Sequence, residues 1–124
     1  MELIEAELSE RILGCCIHVH RALGPGFLEK VYEEALAIEL AKTGLNFERQ
    51  KAVTVFYEGA PVGEHRLDYL IESRVVLEIK ATKEIGDIHL ATARSYLRAT
   101  RLQLALVVNF AKSTLQIRRV VCTT

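Results

Sequence analysis

The chain has 124 residues, half of them hydrophobic, which is enough for one domain with a real core and excludes an intrinsically disordered protein. Its 16 Lys and Arg residues balance its 16 Asp and Glu residues, so the zero net charge excludes a general electrostatic attraction to nucleic acid, and any basic surface must be local. No apolar run approaches the length of a membrane span, so we expect no membrane association.

The cysteines and the first residues indicate a cellular compartment. The three cysteines include no Cys-x-x-Cys pair, which favours small buried thiols in a reducing environment. The chain begins with acidic residues and not with the basic and apolar segments of a signal peptide. We therefore expect a cytoplasmic protein whose single domain spans residues 1–124.

Two amphipathic helices are predicted in the first third of the chain. The first covers residues 8–23, with Ser9 as a candidate N-cap, and ends at Gly24-Pro25-Gly26, which cannot continue a helix. The second covers residues 27–42 and ends before Gly44, a typical C-terminal cap. The residues predicted to face the core are Leu8, Ile12, Cys15, Cys16, Val19 and Leu23 in the first helix, and Val31, Ala35, Ile38 and Ala41 in the second.

After Gly44 the apolar residues alternate, as is typical of strands. A strand with Val53, Val55 and Tyr57 on one face is followed by a glycine-rich and proline-containing hairpin. A third helix at 87–100 separates two apolar strands at 75–81 and 104–110, which should be parallel because such crossover units are right-handed. The predicted order is ααβββαβ, followed by a last strand at 115–121.

The stretch from Arg66 to Ala81 contains the candidate site. It is predicted to form two strands joined by Glu72-Ser73-Arg74. A three-residue loop places Asp68 opposite Glu78, whereas a two-residue loop places it opposite Ile79 on the other face. We favour the first register, because it brings two carboxylates together with Lys80, on the same face as Glu78. This combination is typical of a divalent-metal site; the alternative is a plain ion pair between Glu78 and Lys80.

These elements and motifs together resemble the GxxExxY family of the PD-(D/E)xK nuclease superfamily. Gly26-Phe27-Leu28-Glu29-Lys30-Val31-Tyr32 matches the motif that names the family, and Leu67-Asp68, Glu78-Ile79-Lys80 and Tyr96-Leu97 follow in order. The resemblance implies a restriction-endonuclease-like α/β (α+β) fold, in which helices flank a mixed central sheet. It also implies a Mg²⁺- or Mn²⁺-dependent nuclease that hydrolyses phosphodiester bonds of DNA or RNA.

The resemblance also implies a role for each site residue. Asp68, Glu78, the carbonyl group of Ile79 and Glu29 are expected to bind the metal, and Lys80 to position or deprotonate the attacking water. Two or three carboxylates are sufficient for Mg²⁺, which prefers oxygen ligands and keeps several waters. Without the resemblance, Glu29 has a simple alternative explanation, because an acidic residue in a first helical turn is stabilised by the helix dipole. The residues expected to line the site are Tyr32 and Tyr96.

One departure from the family pattern leaves a second function open. Related nucleases often have a glutamine four residues before the tyrosine that matches Tyr96, and here that residue is Thr92. The alternative is therefore a non-catalytic nucleic-acid- or protein-binding module on the same fold, and a third is a structural dimerisation domain. A domain this small suggests a homodimer or a partner protein. A candidate phosphate-binding stripe, whose alternative is a solvated helix face, consists of Arg94, Arg98 and Arg101.

Overall fold

A computed structural model describes residues 3–123 of the chain; residues 1, 2 and 124 of the predicted domain lie outside this range. The elements follow the order ααβββαββ. The helices are α1 (Ala6–Leu23), α2 (Glu29–Thr43) and α3 (Asp87–Thr100), and the strands are β1 (Phe47–Tyr57), β2 (Ala60–Ile71), β3 (Val75–Lys80), β4 (Leu104–Asn109) and β5 (Gln116–Val121). No helix in the described part is long and apolar enough to cross a bilayer.

The five strands form one mixed sheet in the order β1-β2-β3-β4-β5. β3 and β4 are parallel, as predicted, and the other neighbouring pairs are antiparallel. The connection between the parallel strands is α3, which packs on one face of the sheet, while α1 and α2 cover the other. Both faces of β3 and β4 are therefore buried, which explains why their sequences are almost continuously apolar.

The first helix has the predicted apolar stripe but a different start. α1 begins at Ala6, and Glu5 occupies the N-cap position in a left-handed conformation. Ser9 lies inside the helix, where its hydroxyl donates a hydrogen bond of 3.1 Å to the carbonyl of Ala6, so the prediction of Ser9 as N-cap was wrong. The helix ends at Gly24, whose φ of 70° suits glycine because it has no Cβ.

The second helix exists as predicted, but the predicted buried face was wrong. Ile38 is 61% exposed, and Val31 and Ala41 are exposed as well. The buried residues are instead Tyr32, Glu33, Leu36 and Leu40. Tyr32 fixes this rotation, because its hydroxyl donates a hydrogen bond of 2.6 Å to the carbonyl of Gly24 and its ring stacks on Phe110 at 4.6 Å. These tertiary contacts outweigh the local hydrophobic pattern.

Candidate active site

The turn between β2 and β3 sets the register of the site. Ile71 pairs with Val75, Leu70 with Val76 and Tyr69 with Leu77, so residues 72–74 form the predicted three-residue loop. Glu72 and Ser73 both have positive φ, which lets the chain reverse over so short a loop. Continuing this register by one step places Asp68 opposite Glu78, and the predicted alignment is confirmed.

Beyond the pair formed by Tyr69 and Leu77, the carboxylates of Asp68 and Glu78 accept hydrogen bonds from main-chain amides of the opposite strand. The amide of Asp68 donates a hydrogen bond of 3.1 Å to Oε1 of Glu78. The amide of Ile79 donates one of 2.8 Å to Oδ2 of Asp68. Each carboxylate is therefore held by the main chain of the opposite strand, which fixes both in the gap between β2 and β3.

Burial and a neighbouring carboxylate make both Asp68 and Glu78 reluctant to ionise. Glu78 is 6% exposed, and its burial, together with the charge of Asp68, raises its pKa to about 8. The pKa of Asp68 is also raised, first by burial and then by the charge of Glu33, against the lowering effect of the Ile79 amide. Ionising both carboxylates is therefore unfavourable, and a cation bound beside them would relieve this cost.

Lys80 lies at the end of β3, on the same face as Glu78, and is half-buried. Its charge lowers the pKa of both carboxylates, though less than burial raises them. Within residues 3–123 Lys80 forms no ion pair with any acidic side chain. Its ammonium group is therefore close enough to act electrostatically and is not held by a carboxylate.

A third carboxylate, absent from the sequence prediction, approaches the pair from α2. Glu33 is 7% exposed and accepts hydrogen bonds of 2.8 Å from Nε2 of Gln50 and 2.7 Å from Arg49. The same Gln50 nitrogen lies 3.4 Å from Oδ1 of Asp68, so one amide group bridges two carboxylates. The wrong face assigned to α2 concealed Glu33; a face through Tyr32 would have placed it at the edge of the core.

The backbone of Gln50 is distorted where it meets Asp68. In the register of β1 and β2 this residue would stand opposite Asp68, but it has a φ of 50° and interrupts the ladder. A left-handed residue other than glycine costs of the order of 1–3 kcal/mol and is typical of functional positions. The distortion lets the Gln50 side chain reach both Glu33 on α2 and Asp68 on β2.

Neither of the two motif residues on α2 forms a hydrogen bond with the paired carboxylates in the described part of the chain. Glu29 is exposed in the first turn of the helix and makes no hydrogen bond or ion pair with another described residue. Tyr32 is fully buried, and its hydroxyl also accepts a hydrogen bond of 3.2 Å from the amide of Phe27. The contacts of Tyr32 thus hold together the connection between α1 and α2.

On α3, Tyr96 is partly buried, and its role in the site stays a prediction. Burial and then the charges of Glu78 and Asp68 raise its pKa to about 12. Thr92, one turn earlier, donates its hydroxyl to the carbonyl of Ile88 at 2.9 Å. The hydroxyl group of Thr92 is thus hydrogen-bonded within its own helix.

The comparison with known proteins agrees with this geometry. Residues 6–120 match the family described as the PD-(D/E)XK nuclease superfamily, which is nearly the whole chain. The chain belongs to the PD-(D/E)XK nuclease superfamily. Enzymes of this superfamily generally use divalent metals and act on nucleic acid.

A solved structure also shares the fold of this PD-(D/E)XK protein. It is an alkaline exonuclease from Laribacter hongkongensis, with a TM-score of 0.55 and 12% sequence identity. The alignment covers 99% of this chain and 73% of the exonuclease chain. No curated protein matches the sequence. The likeness confirms the restriction-endonuclease-like fold, and at this identity it shows the fold alone.

The oxygen-rich donor set of the PD-(D/E)XK site fits a hard divalent cation. The buried carboxylate of Glu78 and the half-buried carboxylate of Asp68 converge, and a third lies one amide group away through Gln50. Within residues 3–123 no three His, Cys, Asp or Glu side chains come close enough to form a complete protein-only cage. Two or three carboxylate ligands suit Mg²⁺ or Mn²⁺, because Mg²⁺ keeps several waters and does not need a site made wholly of side chains.

Proposed function

We propose that this PD-(D/E)XK protein is a Mg²⁺- or Mn²⁺-dependent phosphodiesterase that hydrolyses DNA or RNA, and that it is a GxxExxY-type member of the superfamily. The observation that carries the proposal is the reciprocal hydrogen bonding of Asp68 and Glu78 across β2 and β3. A buried and a half-buried carboxylate side by side are unfavourable without a cation, and the main chain holds them there.

In this proposal Asp68, Glu78 and the carbonyl group of Ile79 hold the metal. When bound, such a metal lowers the pKa of a coordinated water and stabilises the charge that develops on a phosphate. A further carboxylate near the metal comes from α2, and it belongs to Glu33 or to Glu29. Glu33 fits better, because it is buried and shares Gln50 with Asp68, whereas Glu29 is exposed and has no described partner.

Lys80 is proposed to position the attacking water and to help remove its proton. The ammonium group lies close enough to the two carboxylates to influence their pKa values and is free of an ion pair in the described chain. Tyr96 is proposed to line the same site through its phenol, which has no hydrogen-bond partner among the described residues. Tyr32 is proposed to contribute by fixing the rotation of α2, and hence the position of Glu33.

Arg94, Arg98 and Arg101 are proposed to contact the phosphates of the substrate. All three are exposed, and none is paired with an acidic side chain of the described chain. We further propose a cytoplasmic location, consistent with the buried thiols of Cys15 and Cys16, and a homodimer or partner protein that extends the small binding surface.

A second candidate, a non-catalytic binding module, is favoured by Thr92. Its hydroxyl is bonded to the carbonyl of Ile88, so this position offers the site neither an amide nor a free hydroxyl. The module would keep the metal site and the basic surface but would not cleave.

One experiment separates the two functions. Wild type, Lys80→Met and Asp68→Asn are incubated with linear, nicked and single-stranded DNA and RNA in Mn²⁺, and metal binding is measured by calorimetry. The catalytic proposal expects Lys80→Met to lose roughly 10²–10⁴-fold in cleavage rate while keeping metal. Asp68→Asn should lose both. Lys83→Met, which changes an exposed lysine without an ion pair in the described chain, is the matched control.

The outcomes are distinct. Metal binding by wild type without cleavage of any substrate would favour the binding module. A trace of cleavage that persists equally in Lys80→Met and Asp68→Asn would come from a contaminating enzyme, and the catalytic assignment would fail.

A further inference from the structure

A groove of about 380 Å³ lies between α3 and the hairpin formed by β1 and β2. It combines two cationic side chains, one aromatic ring and small polar groups, and no acidic residue of the described chain lines it. The lining residues that matter here are Thr54, Phe56, His65, Ser95, Arg98 and Arg101.

The two arginines in the groove are available to a ligand. Arg98 is exposed near the end of α3, and Arg101 is exposed directly after it. Neither makes a hydrogen bond or an ion pair with another residue in the range 3–123. Two unpaired guanidinium groups one helical turn apart suit successive phosphates of a nucleic-acid backbone.

An aromatic ring faces the same groove. Phe56 is 63% exposed, although a phenylalanine on a strand is usually buried. The pairing of β1 with β2 shifts between Val55 and Phe56, so Val62 has no residue opposite it. Such a bulge redirects side chains, and here it adjoins Phe56, which lines the groove.

His65 connects the groove to Tyr96 on α3 and lies on the same strand as Asp68. The ring centroids of His65, in the groove, and Tyr96 are 4.6 Å apart, and Asp68 follows three residues after His65 on β2. Ser95 donates its hydroxyl to the carbonyl of Thr92, so its oxygen accepts from Nε2 of His65 at 3.1 Å. This hydrogen bond links β2 to α3 at the wall of the groove.

We propose that this groove binds a single-stranded segment of nucleic acid and leads it to the paired carboxylates, with a base stacked on Phe56 and phosphates on Arg98 and Arg101. The proposal rests on the nuclease function proposed above and specifies its substrate. Cationic side chains along a groove combined with an exposed aromatic ring are the features by which proteins bind single strands, because unpaired bases expose their faces for stacking. A duplex keeps its bases stacked within the helix, so it offers Phe56 no free face.

The test measures binding of fluorescent oligo(dT), oligo(U) and a duplex of equal length by anisotropy, in EDTA so that nothing is cleaved. We expect both single strands to bind more tightly than the duplex. Phe56→Ala should weaken binding of the single strands roughly tenfold, in the range of one lost stacked base. Ile38→Ala, which removes another exposed apolar side chain, on α2, is the matched control and should leave binding unchanged.

Salt dependence separates the arginines from the ring. Each of Arg98→Gln and Arg101→Gln should reduce the slope of log affinity against log salt by about 0.7, the value for one phosphate contact on a single strand. Phe56→Ala should leave that slope unchanged, because it removes no charge. The matched control is Arg118→Gln, which changes an exposed arginine on β5 and should leave both affinity and slope unchanged.

Several results would overturn the proposal. The proposal fails if the duplex binds as tightly as the single strands, or if Phe56→Ala binds the single strands as tightly as wild type does. Light scattering could also show a dimer that Phe56→Ala dissociates, in which case the groove is an interface between copies of this chain. The nuclease function fails separately: cleavage that depends on Lys80 without any effect of Phe56 refutes the groove alone, and groove binding without cleavage refutes the catalysis alone.

Discussion

Asp68 and Glu78 lie opposite each other on β2 and β3, and each carboxylate accepts a hydrogen bond from the main chain of the other strand. These hydrogen bonds keep two acidic groups together in a mostly buried position. The arrangement has measurable consequences for metal binding, for pH dependence and for stability.

Divalent metal should stabilise the folded protein. A cation that binds only the folded state raises the free energy of unfolding by about 2.7 kcal/mol when present at 100 times its dissociation constant. Thermal melting with increasing Mn²⁺ or Mg²⁺ measures this shift. Glu78→Gln should abolish it, and Glu10→Gln, an exposed change on α1, should not. A wild-type melting temperature that stays constant across millimolar metal would contradict the site.

The stability of the metal-free protein should depend on pH through Glu78. Its pKa is about 8 in the folded protein against an ordinary value of 4.5, so between these pH values the folded state retains a proton that the unfolded state has lost. This contribution to stability is therefore full below about pH 4.5 and is lost as the pH rises to about 8, with a slope of up to about 1.4 kcal/mol per pH unit.

The measurement compares urea unfolding of wild type and Glu78→Gln in EDTA. Other groups titrate in both proteins, so the difference between the two curves isolates Glu78. We expect Glu78→Gln to gain stability relative to wild type as the pH rises from 5 to 8, since glutamine carries no charge at either pH. Parallel curves over that interval would show that Glu78 has an ordinary pKa.

Glu33 and Glu29 should differ in how much they contribute to metal binding and to cleavage. Glu33→Gln is expected to weaken metal binding and to reduce cleavage by roughly 10²-fold, because Glu33 shares Gln50 with Asp68. Glu29→Gln, at an exposed position one turn earlier on the same helix, is the matched comparison and should change both by less than about threefold. Melting curves of both variants check that the loss is not simply one of folding. Equal losses in the two variants would restore Glu29 to the site.

Tyr32 should matter for stability. Tyr32→Phe keeps the ring on Phe110 but leaves the carbonyl of Gly24 without its donor. A buried group left without its hydrogen bond costs about 1–3 kcal/mol, so urea unfolding should show a loss in that range. Tyr57→Phe, where the hydroxyl is exposed on β1, should be neutral within about 0.5 kcal/mol. A fully stable Tyr32→Phe would show that the connection between α1 and α2 is held by packing alone.

The sequence by itself determined the elements and the position of the two site carboxylates. The apolar runs of β3 and β4 predicted a parallel pair covered on both faces, because only a buried strand is apolar throughout. The three residues between Ile71 and Val75 predicted the register, because strand side chains alternate and loop length decides which face Asp68 shares with Glu78. The register depends on residues that are close together in the chain, and the parallel pairing on the apolar composition of both strands and on the helix that connects them.

Only the tertiary structure decided which carboxylate of α2 approaches the site. The apolar pattern of that helix favoured a face through Val31 and Ile38, and the protein buries Tyr32 and Leu36 instead. The rotation is set by contacts of Tyr32. One is with Gly24, in the connection between α1 and α2, and the other is with Phe110, which is remote in sequence. Gln50 adds a backbone conformation that no strand pattern predicts. Because α2 has apolar residues on more than one face, several rotations are nearly equivalent, and the partners that the helix packs against decide between them.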